Sequence, residues 1–209
     1  MYNPHSSYLG LGTPLRKFYK EDFSKYFLVD NIENSILDPE IASFVENHDV
    51  TKDQQFSAAH IKSSLDLFSP YLEKGFAHDR RLFVALVSPE MGYGVFADVF
   101  IPAEAIIGEY TGVITNKSAN TDYAWVYFST PLDQEGNELQ LRVDARVSGN
   151  MMRFINHSDD PNCYYLHLPF KNRWRTIYVA KRPIHQNEEL TVNYGPKYWK
   201  FREDKDAKR

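Results

Sequence analysis

The sequence predicts an α+β fold that is mainly β, with several small sheets behind a helical N-terminal extension. Three observations lead there. The stretch Met1 to Gly75 carries two runs with apolar residues at helical spacing. From Arg81 onward, short β-branched or aromatic runs are separated by Gly, Pro or Asn. Aromatic residues make up 15% of the chain, with 14 tyrosines, more than a plain core requires and suited to strands or a tyrosine-lined site. With 209 residues and 43% hydrophobic content there is material for one packed domain of ordinary size plus an extension.

The elements follow in order. Asp38-Pro39-Glu40 reads as a helix start, a capping Asp with Pro at the first helical position, and Ile41, Phe44 and Val45 give one apolar stripe. A second helix is expected from about Ser57 to Leu72 on Ile61, Leu65 and Phe68, with Pro70 bending it or marking its last turn and Gly75 stopping it. Strands are expected at Leu82 to Ser88, Gly94 to Phe100, Ala105 to Thr115, Tyr123 to Ser129 and Leu139 to Ala145, with Glu135-Gly136-Asn137 as a hairpin turn. Ser148 to Ile155 reads as a short helical turn. Cys163 to Phe170 and Trp174 to Arg182 read as a hairpin around Lys171-Asn172, and Leu190 to Tyr194 as the last strand. This divides the chain into an extension at 1–80, a β-rich domain at 81–196 and an aromatic, charged tail at 197–209.

Charge and cysteine usage exclude several function classes. A net charge of −4 is not that of a dedicated nucleic-acid binder, so no direct nucleic-acid contact is expected. From Ala103 to Tyr165 nine acids (Glu104, Glu109, Asp122, Asp133, Glu135, Glu138, Asp144, Asp159, Asp160) face four bases (Lys117, Arg142, Arg146, Arg153). Such a surface would draw in a basic partner, unless it is only a solvated face. Cys163 is the only cysteine, which excludes a disulfide scaffold and a multi-cysteine zinc cluster. No His-x₃-His or Cys pair stands near His157, so no metal is expected. Met1 to Gly12 lacks the basic and apolar regions of a secretory signal, and no apolar run reaches the length of a membrane span. The expectation is a soluble protein of a reducing compartment, not held at a membrane.

Two runs stand apart from core filler. The first is Arg153-Phe154-Ile155-Asn156-His157-Ser158-Asp159-Asp160-Pro161-Asn162, with five polar side chains directly after an apolar turn. The second is Asn187-Glu188-Glu189-Leu190-Thr191-Val192-Asn193-Tyr194-Gly195, a β-type alternation ending on tyrosine and glycine. Gly92-Tyr93-Gly94 suits close approach of backbone to a ligand, or a plain turn, and lacks the spacing of a phosphate loop. Ser158 adjoins His157 without the Gly-x-Ser-x-Gly elbow of a hydrolase.

These runs resemble the signature motifs of SET-domain protein lysine methyltransferases, and residues from about Met91 to Tyr198 match that family in motif order. Met91-Gly92-Tyr93-Gly94-Val95-Phe96-Ala97 is similar to its opening segment, Glu109-Tyr110-Thr111-Gly112 to its Glu-Tyr-x-Gly strand, and Val143-Asp144-Ala145 with Gly149-Asn150 to the lead into Asn-His-Ser. The resemblance implies a SET fold at 81–196 whose C-terminal segment is threaded in a pseudoknot-like manner. It implies S-adenosylmethionine as methyl donor, with S-adenosylhomocysteine as product and no metal. It places Met91, Gly92, Tyr93, Gly94, Tyr123, Arg153, Asn156, His157 and Tyr194 around the donor. Tyr110, Tyr165 and Tyr194 would form the lysine channel, with Tyr194 the catalytic tyrosine. The implied substrate is a basic protein, a histone tail or histone-like protein, which places the enzyme in the nucleus. In a secreted bacterial effector it would be the host nucleus, and otherwise the cytoplasm. A homodimer is compatible with the sequence.

The sequence departs from the family in three ways. Asp159 follows His-Ser where many members carry Cys, Tyr93 replaces a Trp, and Gly195-Pro196-Lys197-Tyr198-Trp199 stands in place of a cysteine-rich segment. Tyr198 or Trp199 is therefore expected to fold back over the donor or the channel. Val192 lies two residues before Tyr194, where Phe or Tyr is frequent in the family, and Tyr165 could supply the hydroxyl, which leans toward mono- or dimethylation. The competing readings are an inactive SET-fold peptide-binding module, a methyltransferase for a non-histone protein, and an assembly protein using the N-terminal helices.

Overall fold

Phe18 pairs with Val84 through two backbone hydrogen bonds of 2.9 and 2.8 Å, so the N-terminal segment begins as part of the β structure. The structure, a computed structural model, describes residues 8–9, 13–14, 16–54, 56–74, 81–117, 122–196 and 198–199. The stop expected at Gly75, residues 1–7 and 10–12, Lys197 and residues 200–209 lie outside the described residues.

The elements in chain order are β1 (Tyr8–Leu9), β2 (Thr13–Pro14), α1 (Phe23–Phe27), β3 (Asp30–Asn31), β4 (Ile36–Leu37), α2 (Ala42–Asn47) and α3 (Ala58–Lys74). Then come β5 (Leu82–Ser88), β6 (Gly92–Ala97), β7 (Ile106–Tyr110), β8 (Val113–Thr115), β9 (Ala124–Val126), β10 (Arg142–Asp144) and β11 (Ser148–Gly149). A 3-10 turn (Met151–Phe154) leads into β12 (Asn156–His157), β13 (Cys163–Phe170), β14 (Arg173–Ala180) and β15 (Thr191–Val192). The sheets are small: β4-β8-β10-β9, β13-β14-β7, β5-β6, and two-stranded pairs β1-β2, β11-β3 and β12-β15. This is the expected α+β, mainly β architecture.

Two expectations are corrected. The helix read from Asp38 begins at Ala42, because Ile36–Leu37 still pair in the sheet beside β8 and the Asp38 N–H donates to the Ile114 carbonyl. The Asp38 carboxylate instead accepts from Glu40 N (3.1 Å) and Thr115 Oγ1 (2.9 Å). The run Ala105 to Thr115 is two strands, not one. At Gly112 the backbone presses so close to β10 that an added Cβ would lie 2.6 Å from the Asp144 carbonyl oxygen. Pro70 lies inside α3, which runs on to Lys74. Phe68 and Leu72, both 4% exposed, are buried against Leu168, Ile177 and Val179, and that packing offsets the lost helical hydrogen bond.

The extension is also more than helical. Asp30–Asn31 run parallel to Ser148–Gly149, and Phe18, Phe23, Val29, Ile41, Val45, Val50 and Ile61 share one apolar core with Val95, Ile107, Phe154 and Leu190. Burial of this kind stabilises by about 25 cal/mol per Å² of apolar surface, so residues 16–74 and the β-rich part support each other. Two polar joints fix their registry. The β13–β14 hairpin turns on Lys171 and Asn172, both left-handed (φ 50° and 59°), as the two-residue turn requires. The Asn172 amide donates to the His48 carbonyl (2.6 Å) and accepts from Val50 N (3.2 Å).

The second joint is Asp53, 6% exposed. Its carboxylate accepts from Trp174 Nε1 (2.7 Å) and Ser129 Oγ (2.9 Å) and contacts His48 Nε2 (2.7 Å). Asp53→Ala would strand the indole N–H and the hydroxyl without partners. A loss of about 2–3 kcal/mol is expected in urea unfolding; an unchanged midpoint would show the joint to be dispensable.

Candidate active site

The two polar runs converge. Asn150 caps the 3-10 turn, accepting from Met152 N (3.1 Å) while its amide donates to the Glu109 carbonyl (2.7 Å). The chain then extends, and Asn156–His157 lie parallel to Thr191–Val192, with Ser158 N donating to the Val192 carbonyl (3.0 Å). On its other side the second run bonds along β6: Asn187 N to Ala97 O (2.7 Å), Ala97 N to Glu188 O (3.0 Å) and Leu190 N to Val95 O (2.7 Å). Buried Asn162 clamps it, donating to the Glu189 carbonyl (2.7 Å) and accepting from Thr191 N (2.9 Å). The second run therefore lies between β6 and β12.

One wall is polar. The Asn156 amide donates to the Tyr93 carbonyl (3.1 Å) and to Glu189 Oε1 (2.8 Å). Burial raises the Glu189 carboxyl pKa, and the Asn156 hydrogen bond pulls it back. Position 94 must be glycine for this pair to hold: a Cβ there would stand 2.5 Å from Glu189 Oε1. Gly92 is left-handed (φ 78°) and its Cβ direction is open, while Met91 is 58% exposed. His157 Nδ1 accepts from Tyr194 N (3.1 Å), which puts the ring proton on Nε2, 3.2 Å from Asp159 Oδ1. The Trp199 ring stands edge-on to His157 at 4.9 Å.

The second wall is aromatic. A cavity of about 370 Å³ is lined by Tyr110, Asp122, Tyr123, Trp125, Phe128, Arg142, Arg153, Ile155, Tyr165, His167, Tyr178, Tyr194 and Tyr198 among others. The Tyr194 hydroxyl donates to the Ile155 carbonyl (2.7 Å), one residue from Asn156. Burial raises the phenol pKa values of Tyr110, Tyr178 and Tyr165, so all three stay protonated. Burial also pushes His167 down to about 4, leaving it neutral at pH 7, with Nδ1 3.0 Å from Thr176 Oγ1. At the rim the Arg153 guanidinium lies over the Tyr123 ring at 3.8 Å and donates to the Arg146 carbonyl (3.1 Å). Its Nε is buried without a hydrogen-bond partner, a donor facing an unmet demand.

The expected residues thus fall on two adjoining surfaces. Tyr110, Tyr123, Arg153, Tyr165 and Tyr194 line the cavity. Met91, Gly92, Tyr93, Gly94, Asn156, His157 and Trp199 adjoin it without lining it, joined by the Asn156–Tyr93 and His157–Tyr194 contacts. Trp125, Phe128, His167 and Tyr178 were not foreseen. Two of them were within reach: a two-residue turn at Lys171-Asn172 sets Tyr178 opposite Tyr165, and strand alternation puts His167 on the Tyr165 face. The acidic face is thinner than its residue count suggests. Glu109 and Asp144 are buried and paired with Arg175 and Arg146. Among the described residues no cluster of three His, Cys, Asp or Glu could hold a metal ion, and no helix is long and apolar enough to cross a membrane.

Comparison with known proteins bears on this geometry. A family model described as SET domain matches residues 92–195. Histone-lysine N-methyltransferase EZH2 of Chaetomium thermophilum is 31% identical over 119 residues, 51% of this chain and 8% of that protein. Histone-lysine N-methyltransferase MEDEA of Arabidopsis thaliana is 34% identical over 116 residues, 51% and 16% respectively. The chain spans only 8% and 16% of the length of these curated relatives. Among solved structures, ATXR5 in complex with histone H3.1 mono-methylated on R26 superposes with a TM-score of 0.61 at 18% identity, over 84% of this chain and 85% of that one, a likeness of fold.

Proposed function

This chain belongs to the SET-domain family through residues 92–195, and we propose that it is a protein-lysine N-methyltransferase acting on a basic protein, a histone or histone-like tail, in the nucleus. One observation carries the reading: the Asn156–His157 and Thr191–Val192 strands pair in parallel and deliver the Tyr194 hydroxyl to the Ile155 carbonyl at the edge of a tyrosine-walled cavity.

The residues suit S-adenosylmethionine as methyl donor. The buried, unpartnered Arg153 Nε offers a donor to an anionic or carbonyl oxygen, and the open Cβ direction at left-handed Gly92 leaves room for a ligand against the backbone. Met91 to Gly94, Tyr123, Arg153, Asn156, His157, Tyr194 and Trp199 would hold it. When bound, this group supplies an electrophilic methyl on a sulfonium.

The protein's own contribution is to the acceptor. A free lysine amine has a pKa of about 10.4 and is mostly charged at neutral pH. Tyr110, Tyr165 and Tyr194 would wall its channel, and the buried phenols there stay protonated and uncharged. Desolvation among them disfavours the ammonium and lowers its pKa, so no strong base is required. Alignment contributes most of the remainder, since oriented groups gain roughly 7–11 kcal/mol. The test is incubation with methyl-labelled donor and core histones, read by mass spectrometry, beside calorimetry with the donor alone. Label on lysine and measurable donor binding are expected; the absence of both heat and label would dismiss the proposal.

A further inference from the structure

Arg142 and His167 line the acceptor cavity and have no part in the proposed transfer. Arg142 opens β10 opposite Val126 of β9, and it is half-buried. Its guanidinium makes no ion pair, hydrogen bond or ring contact among the described residues. His167 reaches the same end of the cavity. Tyr127 N donates to the Leu141 carbonyl (2.9 Å), beside Arg142, and the next residue, Phe128, packs its ring 4.1 Å from the imidazole. His167 Nδ1 lies 3.0 Å from Thr176 Oγ1, and buried Thr176 has no other side-chain hydrogen bond among the described residues. A buried hydroxyl proton needs an acceptor, so Thr176 donates to Nδ1 and the ring proton sits on Nε2, which has no partner among the described residues. The other charged groups that line the cavity are Arg153 and the exposed carboxylate of Asp122. A cavity read as taking a lysine cation thus carries more positive charge than negative.

Resting on the proposed lysine methyl transfer, we infer that this end of the cavity reads the residues flanking the acceptor lysine: Arg142, with His167, binds a carboxylate or phosphate carried by one of them. A free guanidinium beside the channel repels an approaching ammonium, and an anionic group on the same substrate turns that repulsion into attraction. A guanidinium meets carboxylate or phosphate oxygens through two parallel N–H bonds, and the His167 Nε2–H offers one more. Reach agrees with this. Tyr165 and His167 stand on one face of β13, about 7 Å apart at the rise of a strand, which is the span of two residues of an extended peptide. The anionic group therefore belongs within about two residues of the acceptor lysine.

The test uses matched lysine peptides with glutamate, phosphoserine, glutamine or serine at each position within two residues of the lysine, and kcat/KM measured for each. Wild type is expected to favour a glutamate or phosphoserine peptide over its neutral match by about tenfold, the scale of a hydrogen bond to a charged group, and mainly through KM. Added salt should shrink that preference, because Arg142 is only half-buried. Arg142→Met is expected to abolish it, Arg142→Lys to keep part of it, and His167→Phe to weaken it. Transfer favoured by phosphoserine alone assigns a phosphate, and by glutamate, alone or with phosphoserine, a carboxylate; each supports the inference. If circular dichroism shows Arg142→Met to be unfolded, the salt series on wild type decides, and a preference that salt leaves unchanged overturns the inference. Equal kcat/KM for anionic and neutral peptides, or a preference that survives in folded Arg142→Met, overturns it too and leaves the enzymatic reading intact. No transfer by wild type to any lysine peptide, with no donor binding, removes the enzymatic reading and this inference together.

Discussion

Tyr194→Phe is expected to lower turnover by about 100-fold or more while leaving donor affinity nearly unchanged. The reason lies in what the hydroxyl does and what the ring does. The ring packs 4.6 Å from Tyr198 and 5.5 Å from His157, and phenylalanine would keep both contacts. The hydroxyl donates to the Ile155 carbonyl, and that bond ties the end of the second run to the first. Without it the channel wall is free to turn, and misplacement of reacting groups by an ångström costs about 100-fold. The lost oxygen is also one that can hold the polarised methyl by weak C–H···O contact, a smaller term of about 0.5–1 kcal/mol. Steady-state kinetics beside calorimetry separates the two effects. Full turnover in Tyr194→Phe would take the phenol out of the mechanism, whereas equal losses in turnover and donor affinity would point to a collapsed site.

Arg175→Met is expected to cost about 3–5 kcal/mol of stability at neutral pH, because it strands the Glu109 carboxylate in the core. Glu109 is 1% exposed and paired by two hydrogen bonds to the Arg175 guanidinium, which also donates to Asn34 Oδ1 (3.2 Å). Desolvation drives the Glu109 pKa upward and Arg175 opposes it, with the balance upward. A carboxyl whose folded pKa is raised contributes stability that is fully present below its unfolded pKa, about 4.3, and lost as pH rises through the folded value. Removing Arg175 lifts the folded value further. The variant's deficit should therefore shrink toward acid pH and grow toward neutrality. Urea titrations of wild type and variant across that range measure it, and a pH-independent deficit would contradict the account. Adding Glu109→Gln should recover part of the loss by removing the stranded charge. Because Glu109 precedes Tyr110 and its carbonyl holds Asn150, the single variant should also lose activity.

Much of this molecule was legible in order along the chain. Leu82–Ser88 and Cys163–Phe170 form strands over the expected residues, because their β-branched and aromatic composition and their tertiary burial agree there. The Lys171-Asn172 turn was legible for the same reason. Boundaries failed where a distant neighbour decides. Asp38 caps no helix because Ile114 and Thr115, far along the chain, claim its backbone and carboxylate. Thr111–Gly112 breaks a strand because β10 approaches the glycine there. Pro70 is carried inside a helix by the burial of Phe68 and Leu72.

The site divides along the same line. From order alone came the mainly β fold, the two polar runs and the tyrosines at 110, 165 and 194, because residue type and spacing within a short segment are local properties. The parallel pairing of Asn156–His157 with Thr191–Val192, the Asp53 joint across the extension, and Trp125 among four phenols came only with the tertiary structure. Each of these depends on side chains far apart in sequence meeting in space. Such contacts are set by close packing and by the pairing of buried polar groups, and no local pattern encodes them.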